Sequence, residues 1–403
     1  MTLTKRCLMI ERKGTAMNTP HATGKMWELF NGDCLHVMRN MAEESVDSIV
    51  TDPPYGLSFM GKDWDRGVPG SPFWVEALRV AKPGAHLLAF GGTRMFHRLA
   101  CAIEDAGWEI RDCVMWVHGM GFPKSHNIGK AIDRERGAER MVIGDNPNNR
   151  KNRKSGIVFQ TNRDKSKITT PSTVDAARWE GWGTALKPAW EPVLVCRKPI
   201  AAGMTVAVNV VRYGTGAVNV EACRIGSTVE TWPSSRSYGG KTSCNFTSSK
   251  ITHRAQATGF VPSGRWPANL IHDGSEEVID PLGSAARFFY CAKADATDRN
   301  EGCDSLPLRD AGSRTGDIDG SLRAEPLQRR NNHPTVKPND LMRWLCRLVT
   351  PPGGTVLDPF MGSGSTGKAA IAEGFRFVGI DLSTGFCDIA AARIGSAHNL
   401  FNA

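Results

Sequence analysis

Two short stretches carry residue types that do chemistry. Near the C-terminus, Asp358-Pro-Phe-Met-Gly-Ser-Gly-Ser-Thr-Gly367 sets Gly362, Gly364 and Gly367 in a G-x-G-x-x-G spacing. Read with Lys368, the same residues make most of a G-x4-G-K phosphate loop. Far upstream, Thr51-Asp-Pro-Pro-Tyr-Gly56 puts an acid, two prolines and an aromatic ring side by side. Glycines at a strand-to-helix turn let a ligand approach the backbone. Asp381 closes the next strand nineteen residues after Gly362, the place from which a carboxylate accepts ribose hydroxyls. A nucleoside-like ligand is therefore expected. A magnesium nucleotide is excluded, because Ala369 stands where a Ser or Thr hydroxyl is needed, and Asp358 would repel phosphates. A dehydrogenase domain is excluded too, since only 22 residues follow Asp381.

The remaining strands must come from upstream. Apolar runs bounded by turn residues predict strands over 27–31, 46–51, 85–90, 108–117 and 190–197, besides 355–358 and 375–381. Helices are expected through Leu35, Met38 and Met41, over 72–80, from Gly91-Gly-Thr93 through Ala102, and over 341–349 and 366–372. Lys82-Pro-Gly84 reads as a turn into its strand. The 46–51 strand stops at Asp52 because proline cannot continue a central ladder. Its carboxyl end is where open α/β sheets place their chemistry. Between residues 200 and 330 the alternation dissolves into Gly, Ser and Thr with short apolar runs at 206–211, 269–271 and 288–290, which reads as an irregular recognition region.

Composition narrows the classes. A chain of 403 residues with 40% hydrophobic and 23% charged residues has the make-up of an ordinary soluble protein. No run of eighteen apolar residues predicts a membrane span. Residues 1–24 read as a flexible leader, with Met17 as an alternative start, and Cys7 to Ile10 is too short an apolar core for a secretory signal. A cytoplasmic protein is expected. The eleven cysteines form no C-x2-C or C-x4-C pair and the histidines no H-x3-5-H, so no metal is expected. The net charge of +9 fits a polyanionic partner. Arg150, Lys151, Arg153, Lys154, Arg163, Lys165 and Lys167 concentrate that charge in one polar stretch, expected as an exposed loop that is either simply solvated or in contact with phosphates.

Taken together, the motifs resemble those of the amino-methylating DNA methyltransferases. Asp52-Pro-Pro-Tyr55 is similar to their catalytic motif, and Asp358-Pro-Phe-Met-Gly-Ser-Gly364 to their S-adenosylmethionine motif. Catalytic motif first, recognition region in the middle and cofactor motif last is the order of the β group. His333-Pro-Thr-Val-Lys337-Pro338 resembles that group's helix-start motif, and Asn31-Gly-Asp33 its approach to the catalytic strand. The resemblance covers roughly 27–123, 179–199 and 331–403. It implies an α/β, Rossmann-like, circularly permuted fold with a mostly parallel sheet, an antiparallel edge strand and an inserted irregular recognition region. The expected division is a catalytic half over 25–123, a basic insert over 124–178, a sheet-completing segment over 179–199, target recognition over 200–330 and a cofactor half over 331–403.

The resemblance also assigns roles. Asp358 and Phe360 would lie at the methionine and sulfonium end of the cofactor, Gly362 and Gly364 would admit it, and Asp381 would take the ribose, where the family more often has Glu. Thr366, Asp33, His333 and Lys337 are expected on the same cofactor side. Asp52 and the Pro53 carbonyl would hold the two N–H groups of an exocyclic amine, with Pro54 fixing the backbone. Tyr55 would stack on the flipped base, and Trp64 would shape the target pocket or pack under a loop. Carbon-5 chemistry needs a Pro-Cys nucleophile, which the chain lacks. Asp in the first motif position favours adenine N6, with cytosine N4 as the alternative and RNA or protein methylation further off. Duplex DNA is the expected partner, with a second copy and a separate restriction enzyme as further ones; restriction-modification, phage or prophage, and solitary roles all fit.

Overall fold

The computed structural model describes residues 19–57, 66–119, 121, 125–145, 167–226, 264–292, 297–310 and 328–399. The expectations for most of the leader, for Trp64 and for Arg150, Lys151, Arg153, Lys154, Arg163 and Lys165 lie outside them.

The first part of the chain lays down β1 (Ala22–Thr23), β2 (Trp27–Asn31), α1 (Cys34–Arg39), β3 (Val46–Thr51), α2 (Ser71–Val80), β4 (Ala81–Phe90), α3 (Phe96–Asp105) and β5 (Glu109–Val117). A side structure follows, made of α4 (Ile128–Glu135), the ribbon β6 (Val142–Asp145) and β7 (Lys167–Thr169), and α5 (Val174–Arg178). Then come β8 (Trp190–Arg197), α6 (Val206–Tyr213), β9 (Leu270–His272), α7 (Glu276–Leu282), β10 (Tyr290–Cys291) and a small ribbon of β11 (Arg309–Asp310) and β12 (Gln328–Arg329). The chain ends in α8 (Asn339–Val349), β13 (Thr355–Asp358), α9 (Ser365–Ala372), β14 (Arg376–Asp381) and α10 (Thr384–Asn399).

Ten strands form one sheet in the order β1-β2-β14-β13-β3-β4-β8-β5-β9-β10. The two last strands of the chain thus sit between two of its first, all four parallel. That insertion is the permutation the sequence predicts. It sets the carboxyl end of β13, with the glycine loop, beside that of β3, with Asp52.

Both faces of the sheet are covered. Trp344, Leu345 and Cys346 of α8 pack with Phe377, Ala390 and Ile394 on one face; Trp74, Leu99, Ile103 and Trp108 pack on the other. All six residues of β3 are buried, as a doubly covered parallel strand requires. Its three polar side chains are satisfied: Ser48 shares a hydrogen bond with Thr350, Asp47 binds Lys82 at 2.5 Å and the Thr355 amide at 2.8 Å, and the Thr51 hydroxyl donates to Asp358 at 2.7 Å.

Several details differ from expectation. Lys82-Pro-Gly84 is not a turn: β4 follows α2 directly, and a register shift between Val46 and Ser48 absorbs the proline within the strand. α1 ends at Arg39 rather than reaching Met41, and α3 starts at Phe96 rather than at the glycines. The apolar run at 206–211 is a helix capped by the Thr205 hydroxyl. The segment 200–330 also supplies β9 and β10 to the main sheet; at three and two residues they are too short to show alternation. Ala22–Thr23, placed in the leader, adds an antiparallel edge strand on β2. The longer antiparallel strand, β8, is internal, because β5, β9 and β10 lie beyond it. Among the described residues no helix is long and apolar enough to cross a membrane.

Candidate active site

Asp358 is the junction between the two motifs. It is 2% exposed, and both its oxygens are taken. Oδ1 accepts from the Thr51 hydroxyl at 2.7 Å and the Phe360 amide at 3.1 Å, and Oδ2 from the Thr366 hydroxyl at 2.6 Å. Burial drives its pKa up to about 7 against those three donors. Thr51 directly precedes Asp52, so one buried bond fixes the catalytic-motif strand to the glycine loop. Asp358, expected at the methionine and sulfonium end of the cofactor, acts in the fold as a brace, and Thr366 is the other half of it. The Phe360 ring turns toward α2, 6.1 Å from Phe73 and 6.2 Å from Trp74.

The glycines are required for two reasons. Gly362 and Gly364 have φ of +51° and +77°, which L side chains rarely adopt. The space a side chain would need is also taken, by His333 at Gly362 and by Ala390 at Gly364. Gly364 therefore serves the packing of α9 on α10. The Gly362 amide donates to Asp381 at 3.0 Å, and the Ser383 amide donates to the other oxygen at 2.8 Å. Burial raises the Asp381 pKa to about 6. The His333 ring rests edge-on against Phe386 at 4.6 Å, and burial lowers its pKa to about 4. Its Nδ1 faces the Thr335 carbonyl at 2.7 Å; the carbonyl only accepts, so Nδ1 carries the proton and Nε2 faces the loop.

Lys368, the would-be phosphate lysine, is 3% exposed and bound by Glu301 at 2.5 Å. Arg393, 1% exposed, grips the loop from α10 by donating to the Ser363 carbonyl at 2.5 Å. The loop thus offers its lysine to no phosphate, while Asp381 stays partly exposed beside it. A phosphate-free nucleoside carrying a positive sulfonium fits that arrangement.

At the end of β3 the side chains converge. The Tyr55 hydroxyl lies 2.8 Å from Asp52 Oδ1 and 2.9 Å from Glu191 Oε2. Lys337 Nζ donates to Asp52 Oδ2 at 2.7 Å and to the Tyr55 hydroxyl at 3.1 Å, and is 3.3 Å from Glu191 Oε2. Burial opposes the lysine's charge, but the carboxylates of Asp52 and Glu191 outweigh it and hold its pKa above the usual range. Burial and then those two carboxylates push the Tyr55 phenol well up, so it stays a hydroxyl. The Tyr55 ring packs on Gly92, where a Cβ would come within 3.1 Å of it.

The structure therefore moves Lys337 from the expected cofactor side to the Asp52 cluster. Asp33, also expected near the cofactor, caps α1 by accepting from the His36 amide at 2.9 Å. Lys167 is exposed on β7 and paired with Asp145 at 2.6 Å. Pro53 and Pro54 follow β3 in non-regular backbone. Sequence reasoning gave no role to Glu191, Thr51, Arg393 or His118, whose Nε2 is 3.8 Å from Glu191. Glu191 had a signal. It is an acid opening an apolar strand, and an antiparallel strand starts where its parallel neighbours end.

An N6/N4 family model described as DNA methylase matches residues 46–392. A type II methyltransferase of Haemophilus influenzae, M.HindIII, is 21% identical over 92% of this chain and 96% of its own length. A DNA adenine methyltransferase of Escherichia coli, YhdJ, is 41% identical over 16% of this chain and 22% of its own. The solved structure of the cytosine-N4-specific PvuII DNA methyltransferase covers 94% of each chain at 13% identity with a TM-score of 0.45.

Proposed function

The chain belongs to the N6/N4 DNA methylase family, whose methyl donor is S-adenosylmethionine, and from that premise we propose that it methylates the exocyclic N6 of an adenine turned out of duplex DNA. The observation that carries the reading is the pair of adjacent strand ends, with Asp52 on β3 and the glycine loop on β13, tied by the Thr51–Asp358 bond. Asp in the first motif position favours adenine, and the local likeness to an adenine methyltransferase of Escherichia coli supports it.

An exocyclic amine is a poor nucleophile because its lone pair is delocalised into the ring. Asp52 accepts one N–H and the Pro53 carbonyl the other, which favours a pyramidal nitrogen with its lone pair free. The prolines fix φ and so aim that carbonyl. Tyr55 presents its ring to the flipped base. Asp381 would hold the ribose of the cofactor, and His333, packed against Gly362, would shape the loop beside it. The bound cofactor supplies an electrophilic methyl, and the protein contributes chiefly alignment of that methyl with the nitrogen.

The test is transfer of labelled methyl to duplex DNA followed by nucleoside analysis. N6-methyldeoxyadenosine is the expected product. N4-methyldeoxycytidine would overturn the adenine assignment, and label in RNA or protein but not in DNA would overturn the whole reading.

The basic stretch is proposed as the backbone-binding element, because it concentrates positive charge in the part of the sequence between β6 and β7. Buried Asp133 braces that side structure, binding Arg140 at 2.9 Å and the Thr173 hydroxyl at 2.8 Å. Replacing Arg150, Lys151, Arg153 and Lys154 by Glu should lower DNA affinity and flatten its dependence on salt, each lost phosphate contact removing about 0.9 from the logarithmic slope. An unchanged slope would place the stretch away from the DNA. Residues 200–330 remain the proposed target-recognition region.

A further inference from the structure

Asp52 must turn a lone pair to the incoming amine, and each of its oxygens already has a hydrogen-bonding neighbour that restricts how the amine can approach. The Tyr55 hydroxyl, whose single proton is shared between the two carboxylates, lies 2.8 Å from Oδ1, and Lys337 donates to Oδ2 at 2.7 Å. A buried ammonium paired with a single carboxylate could leave it only by becoming an uncompensated charge, which is strongly unfavourable. Here the situation is different. Both donors have the same second acceptor within reach: Glu191 Oε2 is 2.9 Å from the Tyr55 hydroxyl and 3.3 Å from Lys337 Nζ. The cluster holds two carboxylates against one ammonium, so Lys337 stays compensated whichever it faces. The rings of Phe90 and Tyr55, with centroids 4.8 Å and 5.4 Å from Nζ, give the ammonium aromatic surroundings during the move.

We propose that Glu191 is a positioning residue, the alternative counter-ion that takes Lys337 and the Tyr55 hydroxyl from Asp52 as the target amine enters. No bond is made or broken in this step. Two hydrogen-bond donors exchange one carboxylate for another, and the amine replaces them on Asp52. Tyr55 thereby has a polar function besides its ring, and the resting site is a closed arrangement that the correct base opens. Glu191 acts on the reaction only through these two donors.

The inference rests on Asp52 being the amine's acceptor, and the two can be separated. Full activity in Asp52→Ala sinks that assignment, whereas an inactive Asp52→Ala beside a fully active Glu191→Gln sinks the handover alone. Glu191→Gln keeps the shape and removes the charge. It is expected to lower the single-turnover rate about tenfold or more while leaving KM for DNA, cofactor Kd and Tm unchanged, the pattern of an effect confined to the chemical step. Glu191→Asp, which keeps the charge, should recover part of the rate. A wild-type rate in Glu191→Gln would overturn the proposal. So would a Glu191→Asp variant as slow as Glu191→Gln, or a loss of cofactor binding or Tm in step with the rate.

Discussion

Replacing Asp52 with alanine is expected to abolish methyl transfer while leaving cofactor binding nearly intact. The two effects separate because the site is built on different strands. Asp52 follows β3, whereas the glycine loop and Asp381 belong to β13 and β14. Losing the acceptor removes what favours the reactive nitrogen, and deleting one such preorganised partner costs roughly a hundred- to a thousandfold in rate. The fold should tolerate it, since the Asp52 side chain is 21% exposed and Lys337 keeps Glu191 as a counter-ion. Radiolabel transfer and calorimetric titration of the cofactor check both parts. Parallel loss of transfer and cofactor binding would contradict the assigned role.

Asp358→Ala should fail in the opposite way, losing stability and cofactor binding together. It strands the Thr51 and Thr366 hydroxyls and the Phe360 amide in a buried place. At about 1–3 kcal/mol for each unsatisfied buried group, the total is several kcal/mol. Thermal melting would report it, and an unchanged Tm would show that the junction is dispensable. Asp358→Asn keeps an acceptor and should be milder, with a diagnostic pH effect. The folded-state pKa near 7 lies above the ordinary value of 3.8, so between those values the folded chain binds a proton that the unfolded chain does not. This group's contribution to stability therefore falls as pH rises from about 4 to about 7. The asparagine variant should lose that slope; Asp381, raised in the same direction, will leave a residue of it.

The sheet was largely readable in the sequence because most of its longer parallel strands are buried apolar runs closed by Gly, Pro or Asp; β5, with Glu109, Arg111 and Asp112 and several exposed positions, is the exception. β9 and β10 were not, since three and two residues carry no period. The candidate site was half readable. Asp52, Tyr55, Gly362 and Asp381 announce themselves by motif, but motif reading assigns roles one residue at a time. It could not tell that Asp358 accepts from Thr51, Thr366 and Phe360, or that Lys337 binds Asp52. Those facts depend on which distant strands become neighbours, and Lys337 lies 285 positions from Asp52. Gly364 and Gly367 look like ligand glycines in the sequence. In the fold, a Cβ at either would strike α10, at Ala390 or Ile394.

The seating of β13 and β14 between β2 and β3 also bears on the life of the chain before it is finished. A ribosome releases β2 and β3 some three hundred residues ahead of the strands that join them. Until then each has an open hydrogen-bonding edge where its neighbour belongs, the kind of edge that pairs with the wrong chain. Such long-range pairing is slow to form. The same delay has a useful side. On the roles proposed above, a nascent or truncated chain would hold the residues that receive the base but not those that hold the methyl donor, and would stay chemically silent until β13 and β14 close the sheet.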